Sequence, residues 1–266
     1  MQDFIDWFFW EKGRTGDALF SWPHLLTITT TLAIFFTLAV LLGKKFKNNQ
    51  KAQTITLIVS GLFMVFLEVI KLIWVCWGSD NVWRTLVGNA PLYLCDMVIF
   101  VLPLAGFTRG RFRDWCCDFV AIWGILMAFF GTYLAGNIYP AHSAISFFGL
   151  NCTLNHAVSG FGGLFMFITG LNKMEKRNIP FVVGMLVVFM TTALVIDYVD
   201  SHNFMFFFDG GGTPFSLFDQ YLSFGVKPIY QLWIYILQCG YMVGFYYVYY
   251  LIRHLIEKRK SQQEKN

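Results

Sequence analysis

Apolar residues fall in seven runs, roughly 23–43, 55–77, 88–107, 117–136, 146–171, 180–199 and 229–252, separated by polar connectors. Each run meets or nearly meets the ~20 residues that a helix needs to cross a ~30 Å hydrocarbon core. A spanning segment of this length has to be helical, because every backbone amide must find its partner within the segment. The pattern predicts an all-α polytopic membrane protein, a seven-transmembrane-helix bundle. The expected organisation is an interfacial N-terminal segment over 1–22, a transmembrane domain over 23–252 and a basic tail over 253–266.

The connectors alternate in charge. Lys44, Lys45, Lys47 and Lys51 fill the first, Arg109, Arg111 and Arg113 the third, and Lys173, Lys176 and Arg177 the fifth; Arg253, Lys258, Arg259, Lys260 and Lys265 follow the last run. The intervening connectors hold only Arg84, none, and Lys227, and the N-terminal segment holds Lys12 and Arg14. Basic loops stay cytoplasmic, which places the N-terminus outside and the C-terminus inside a multi-pass protein of the cell membrane. The opening DFIDWFFWEKGRTGD is too charged for the apolar core of a secretory signal and reads instead as an aromatic interfacial segment.

Composition agrees with that class: 56% of the residues are hydrophobic and 14% charged, against about 25% charged in an ordinary soluble chain. The net charge of +4 does not point to nucleic acid, because its basic residues sit beside the spans. Cys76, Cys95, Cys116, Cys117, Cys152 and Cys239 form no CxxC pair, and nearly all lie in apolar runs. Neither a disulfide framework nor a metal site is expected, and nothing in the chain calls for a cofactor.

Charge inside a span costs ~2.5–3.5 kcal/mol or more at the helix centre, so an ionisable residue there is a functional candidate. Glu68 and Lys71 in the second run, Asp96 in the third and His156 in the fifth stand out. At ~1.5 Å per residue, Glu68 lies ~14 Å and Lys71 ~9 Å below the outer end of its helix. On the same scale Cys95 and Asp96 lie ~10–12 Å down and His156 ~15 Å down. Three helices thus bring these groups to similar depth in the outer half of the membrane.

Each candidate has a plain structural alternative. Glu68 and Lys71, three residues apart, share a helix face and form either a neutralised packing pair or a headgroup-orienting one. Cys95, in PLYLCD beside Pro91, is either a small core residue or a nucleophile that His156 or Lys71 would activate. Cys152, one turn before His156, competes for that histidine, and Asn151 and Asn155 offer it structural amides. SGFGG over 159–163 reads as close helix packing. The long aromatic connector from Asp200 to Pro228 reads as a lid hinged at Gly210, Gly211 and Gly212. His24, at the outer mouth of the first run, is placed to face the same cavity.

FSWPHLLTI around His24, PLYLCD around Cys95, LNHAVSG around His156, and NFMFF followed by GTPFSLFD and IYQLWIYIL occur in that order. Together they resemble the YwaF-like bacterial integral membrane proteins, whose eukaryotic relatives include a transmembrane lipid acyltransferase. The resemblance runs from the first apolar run through the seventh. It implies a catalytic Cys95 and His156; the polar residues read in and beside the spans, His24, Glu68, Lys71, Asp96, Asn155 and Asn203, are expected around the substrate.

Two function classes follow. In the first, Cys95 attacks an acyl ester of a phospholipid or lysophospholipid, His156 takes the thiol proton, and Asn155, Lys71 or a freed backbone amide stabilises the oxyanion. In the second, the same outward cavity binds or transports a lipid or small amphiphile without chemistry. Membrane lipid is the expected partner in both.

Overall fold

The computed structural model describes residues 2–77, 79–211, 213, 215–222 and 225–263, and every regular element among them is helical. α1 (Gln2–Phe8) is a short aromatic helix. α2 (Trp22–Phe46) follows Ser21, whose backbone is extended, and carries Pro23 in its first turn, where a missing N–H costs nothing. It ends on Lys44 and Lys45, charges that suit the carbonyl end of a helix. α3 (Gln50–Cys76) starts where the Asn49 side chain accepts the Ala52 N–H at 3.0 Å.

The run expected to form one continuous span over 88–107 is broken. α4 (Val82–Gly88) and α5 (Met97–Phe107) flank an irregular stretch, 89–96, which contains Pro91. Proline has no N–H to give and disfavours helix in the residue before it. The 11 residues of α5 reach only ~16 Å, about half a hydrocarbon core. Irregular backbone at such a depth survives where it is buried in protein or lines a cavity. Here the buried Trp123 indole donates to Leu94 O at 2.7 Å and pins the stretch to the core.

α6 (Gly110–Tyr133) and α7 (Phe147–Thr169) form the centre of the bundle. α7 is capped by Ser146, whose hydroxyl accepts the Gly149 N–H at 3.1 Å, and stops at the left-handed Gly170. The two helices touch backbone to backbone: a side chain on Gly124 would run into the Ser159 carbonyl. α8 (Ile179–Asp200), α9 (Ser216–Leu222) and α10 (Lys227–Gln263) complete the chain. α10 continues well past 252 because LIRHLIEKRKSQQ holds no helix breaker, and Arg253 pairs with Glu257 one turn on at 2.9 Å. The final residues 264–266 lie outside the described residues.

By length and composition, four helical stretches among the described residues can cross a membrane: Trp22–Phe46, Gln50–Cys76, Gly110–Tyr133 and Lys176–Asp200. α5 is apolar but short, and α7 interrupts its apolar run with Asn151, Asn155 and His156.

One end of the bundle is tied by Asp118 of α6, which accepts from Met174 N (2.9 Å), Asn178 Nδ2 (2.7 Å) and Tyr246 OH (3.0 Å). Three segments gather at the other end. The N-terminal segment lies on the α6–α7 connector: Asp17 N donates to Tyr139 O (2.8 Å), while Asp17 Oδ2 accepts from Ser143 Oγ (2.9 Å) and Ala144 N (2.6 Å). Phe9 and Trp10 pack with tilted rings on Trp74 of α3, and Phe9 also on Phe147 of α7, so the segment straddles those two helices.

The 201–226 loop is the third. Of the three glycines expected to hinge it, Gly210 and Gly211 are both packed or bonded. The Gly210 α-carbon packs on the Phe215–Ser216 backbone, Gly211 N is held by Asp209 Oδ1 at 2.6 Å, and Gly212 lies outside the described residues. The turn is made instead by Ser201, Met205 and Phe206, each with positive φ, a conformation that costs ~1–2 kcal/mol per non-glycine residue. Bonds from Phe204 N to Asp197 Oδ1 and from Tyr230 OH to Phe206 O, both 2.7 Å, hold it in place.

Candidate functional site

A cavity of about 570 Å³ lies beneath the α6–α7 connector and the 201–226 loop, within the ~300–1,000 Å³ usual for small-molecule sites. α3 contributes Glu68 and Lys71 to its wall, the broken stretch Tyr93, Cys95 and Asp96, and α7 Asn151, Cys152, Asn155 and His156. α6 supplies Met127, Phe130 and Gly131; the α6–α7 connector adds Asn137 and His142, and the loop Asn203, Phe206 and Phe215. The helix break places the Cys95 thiol on this wall, in irregular backbone just before α5.

Most of the residues singled out from sequence therefore share one space. His24 does not. It is fully buried outside the cavity, with Nδ1 accepting the Phe20 N–H and Nε2 donating to Thr132 O, both at 3.2 Å, and Tyr139 edge-on to its ring. Both nitrogens are spent on backbone, so His24 joins α2 to α6 and is not placed to touch a substrate. Asn203 lines the cavity but spends its amide on the loop, with Nδ2 donating to Asp209 O (3.0 Å) and Oδ1 accepting from Phe208 N (2.8 Å).

Within the wall, Lys71 Nζ sits 2.8 Å from Glu68 Oε1, both side chains largely buried. Asp96 Oδ2 accepts the Tyr93 N–H at 3.1 Å, and its Oδ1 accepts the Cys95 S–H at 3.4 Å. Asn151 donates to Leu67 O (2.9 Å) and accepts from Asn155 Nδ2 (3.2 Å), which leaves Asn155 Oδ1 buried without a partner.

His156 carries the sharpest chemical signature. Its Nδ1 lies 2.7 Å from Cys152 O, a carbonyl that can only accept, so Nδ1 bears the proton. Nε2 is then the basic nitrogen, and it is buried with no hydrogen-bond partner. Space for the ring exists because residue 131 is glycine; a Cβ there would collide with Nε2 and Cδ2. Cys152 Sγ is the thiol in contact with the ring, 3.5 Å from Nδ1, as its spacing one turn away allowed. Cys95 makes no hydrogen bond to His156 and is turned to Asp96. The two residues share a cavity and are not hydrogen-bonded to each other.

A second imidazole on the wall escaped the sequence reading. His142 Nδ1 lies 2.7 Å from Glu11 Oε2, and Glu11 Oε1 accepts the Ser143 N–H at 2.7 Å. The ring stacks on Phe148 with centroids 4.2 Å apart. Burial pushes the Glu11 carboxyl up, but the bonds from His142 and the Ser143 N–H outweigh it and hold the group below the ordinary carboxylate range. Polarity within an apolar run is what marks a residue in sequence; His142 and Glu11 both sit in connecting segments and carried no such mark.

All six cysteines are free thiols, and no cluster of His, Cys, Asp and Glu among the described residues is disposed to hold a metal. The fold and site together define a helical membrane protein with a largely apolar cavity, set with a few polar groups, near one end of its bundle. A family model described as the TMEM164 family matches residues 19–249, and the chain belongs to that family. Comparison with curated proteins and with solved structures returns no match.

Proposed function

We propose that the protein is a multi-pass enzyme of the cell membrane, an acyltransferase or hydrolase acting on phospholipid or lysophospholipid acyl esters through a cysteine acyl-enzyme. The observation that carries this reading is the unpartnered, basic Nε2 of buried His156, on the wall of the cavity that also exposes the Cys95 thiol. A seven-span topology with the N-terminus outside would put this cavity in the outer half of the bilayer, near lipid ester groups.

In the first half-reaction Cys95 turns from Asp96 toward the cavity and gives its proton to His156 Nε2, while its sulfur bonds to the ester carbonyl carbon. Lys71, the ammonium on the wall, offsets the charge developing on the carbonyl oxygen. Collapse breaks the ester C–O bond, and the leaving oxygen takes the proton back from His156. The product is a Cys95 thioester, discharged by water or an acceptor alcohol. Phe130, Phe148 and Phe215 give the acyl chain apolar walls.

One observation favours the second reading, a lipid-binding or transporting protein: the Cys95 thiol donates to Asp96 and not to His156. Intact mass of the purified protein after incubation with a phospholipid mixture separates the two. An acyl-sized adduct, removed by hydroxylamine and absent in Cys95→Ser and His156→Ala, supports the enzyme. An unmodified wild type that merely co-purifies with lipid overturns it.

A further inference from the structure

We propose that His142, oriented by Glu11, is the general base that activates water or the acceptor alcohol to discharge the Cys95 thioester. The inference rests on the acyl-enzyme reading above and assigns its second half-reaction to a different imidazole from the first.

The geometry is that of a carboxylate-oriented histidine. Glu11 Oε2 fixes Nδ1 at 2.7 Å and so leaves Nε2 as the basic nitrogen, which has no partner among the described residues. Glu11 is itself fixed by the Ser143 N–H, and Phe148 holds the face of the ring. A third group orienting the base of a base–nucleophile pair recurs wherever a hydroxyl or water must be activated.

The two cavity histidines differ in the way a two-step reaction needs. His156 is buried and tethered to a carbonyl inside α7. His142 lies on the connector, its side chain 35% exposed, where an incoming acceptor or water would pass.

The blander account is that Glu11 and His142 merely latch the N-terminal segment down. That latch is already supplied elsewhere: Asp17 binds Ser143 and Ala144, Asp17 N binds Tyr139 O, and Arg14 bonds the Ser143 hydroxyl. Glu11 likewise reaches the backbone through its other oxygen. What the Oε2 bond adds is a fixed imidazole on the cavity wall.

The step balances. The acceptor O–H proton passes to His142 Nε2 as the oxygen bonds to the thioester carbonyl carbon. Collapse of the tetrahedral adduct breaks the C–S bond, and the departing Cys95 sulfur takes the proton from Nε2. Thioester plus water or alcohol gives acid or ester plus free thiol.

The experiment is time-resolved intact mass of the full chain after mixing with diacyl phosphatidylcholine vesicles, followed by a chase with lysophosphatidylcholine. His142→Gln and Glu11→Gln should charge at the wild-type rate and accumulate a hydroxylamine-labile adduct. Discharge should slow about 100-fold or more in His142→Gln, the scale of a lost general base, and less in Glu11→Gln. Asp17→Asn, which loosens the strap without touching His142, should discharge normally. Discharge at the wild-type rate in His142→Gln, failure of that variant to charge while folded, or accumulation in Asp17→Asn each overturns the assignment and leaves the acyl-enzyme reading standing. Absence of an adduct from wild type and every variant overturns both.

Discussion

Replacing Gly131 by alanine tests the placement of His156 without assuming any reaction. The new methyl would sit 3.1 Å from His156 Cε1 and closer still to Nε2 and Cδ2, nearer than real Cβ atoms approach. The ring has little freedom to yield, since its Nδ1 is bonded to Cys152 O at 2.7 Å and α7 is locked against α6 at Gly124. Turning the ring away forfeits a hydrogen bond, about 0.5–1.5 kcal/mol. Parting the helices instead costs about 1–3 kcal/mol of overpacking. Depending on which gives way, Gly131→Ala should destabilise by roughly 0.5–3 kcal/mol. In a His156→Ala background the methyl enters vacated space and the penalty should largely vanish, a coupling of about 0.5–3 kcal/mol. Unfolding of the four proteins of this cycle in detergent micelles measures it. An equal penalty with and without the imidazole would refute the placement of Nε2 against Gly131.

Three further outcomes follow from the packing and the ion pairs. Lys71→Met should lose roughly 3–5 kcal/mol, because it leaves Glu68 and Asp96 buried without their cation, whereas Glu68→Gln, which leaves Lys71 facing Asp96, should lose less; thermal unfolding reads the difference. Asp118→Ala strips three buried donors of their acceptor, so it should lose at least about 3 kcal/mol at 1–3 kcal/mol per orphaned group, seen as early loss of helical signal on heating. Glu11 is held below its unfolded carboxylate value, so its contribution to docking the N-terminal segment is complete above that value and lost as pH falls through the folded one. Trp10 packs on Trp74, so tryptophan fluorescence should report release of the segment in that acidic window, with the transition weakened in Glu11→Gln.

Depth counting along predicted helices brings Glu68, Lys71 and His156 to similar depth, and they do line one cavity, because i-to-depth conversion holds where the helix is regular; Cys95 and Asp96 line it too, but from irregular backbone to which that conversion does not apply. It was less informative across 89–96, where Pro91 breaks the helix that hydropathy alone extends from 88 to 107. Hydropathy averages over a window and does not register a break that stays apolar.

His24 shows the opposite limit. A histidine at a helix mouth reads the same whether its nitrogens face a ligand or, as here, the backbone at Phe20 and Thr132. The partners of a side chain lie on other elements and leave no trace in local sequence. For the same reason the Glu11–His142 pair, 131 residues apart, emerged only when the N-terminal segment was seen to lie on the α6–α7 connector.

The preference of Cys95 for Asp96 over His156 was equally hidden, and it bears on the central claim. Electron cryo-microscopy of the protein after incubation with phospholipid, using His142→Gln to hold the charged state, addresses that claim most directly. The account predicts continuous density from Cys95 Sγ along the cavity, with the side chain turned away from Asp96 and His156 Nε2 facing the new thioester. Intact lipid seated in the cavity beside a free Cys95 thiol still bonded to Asp96 would contradict it.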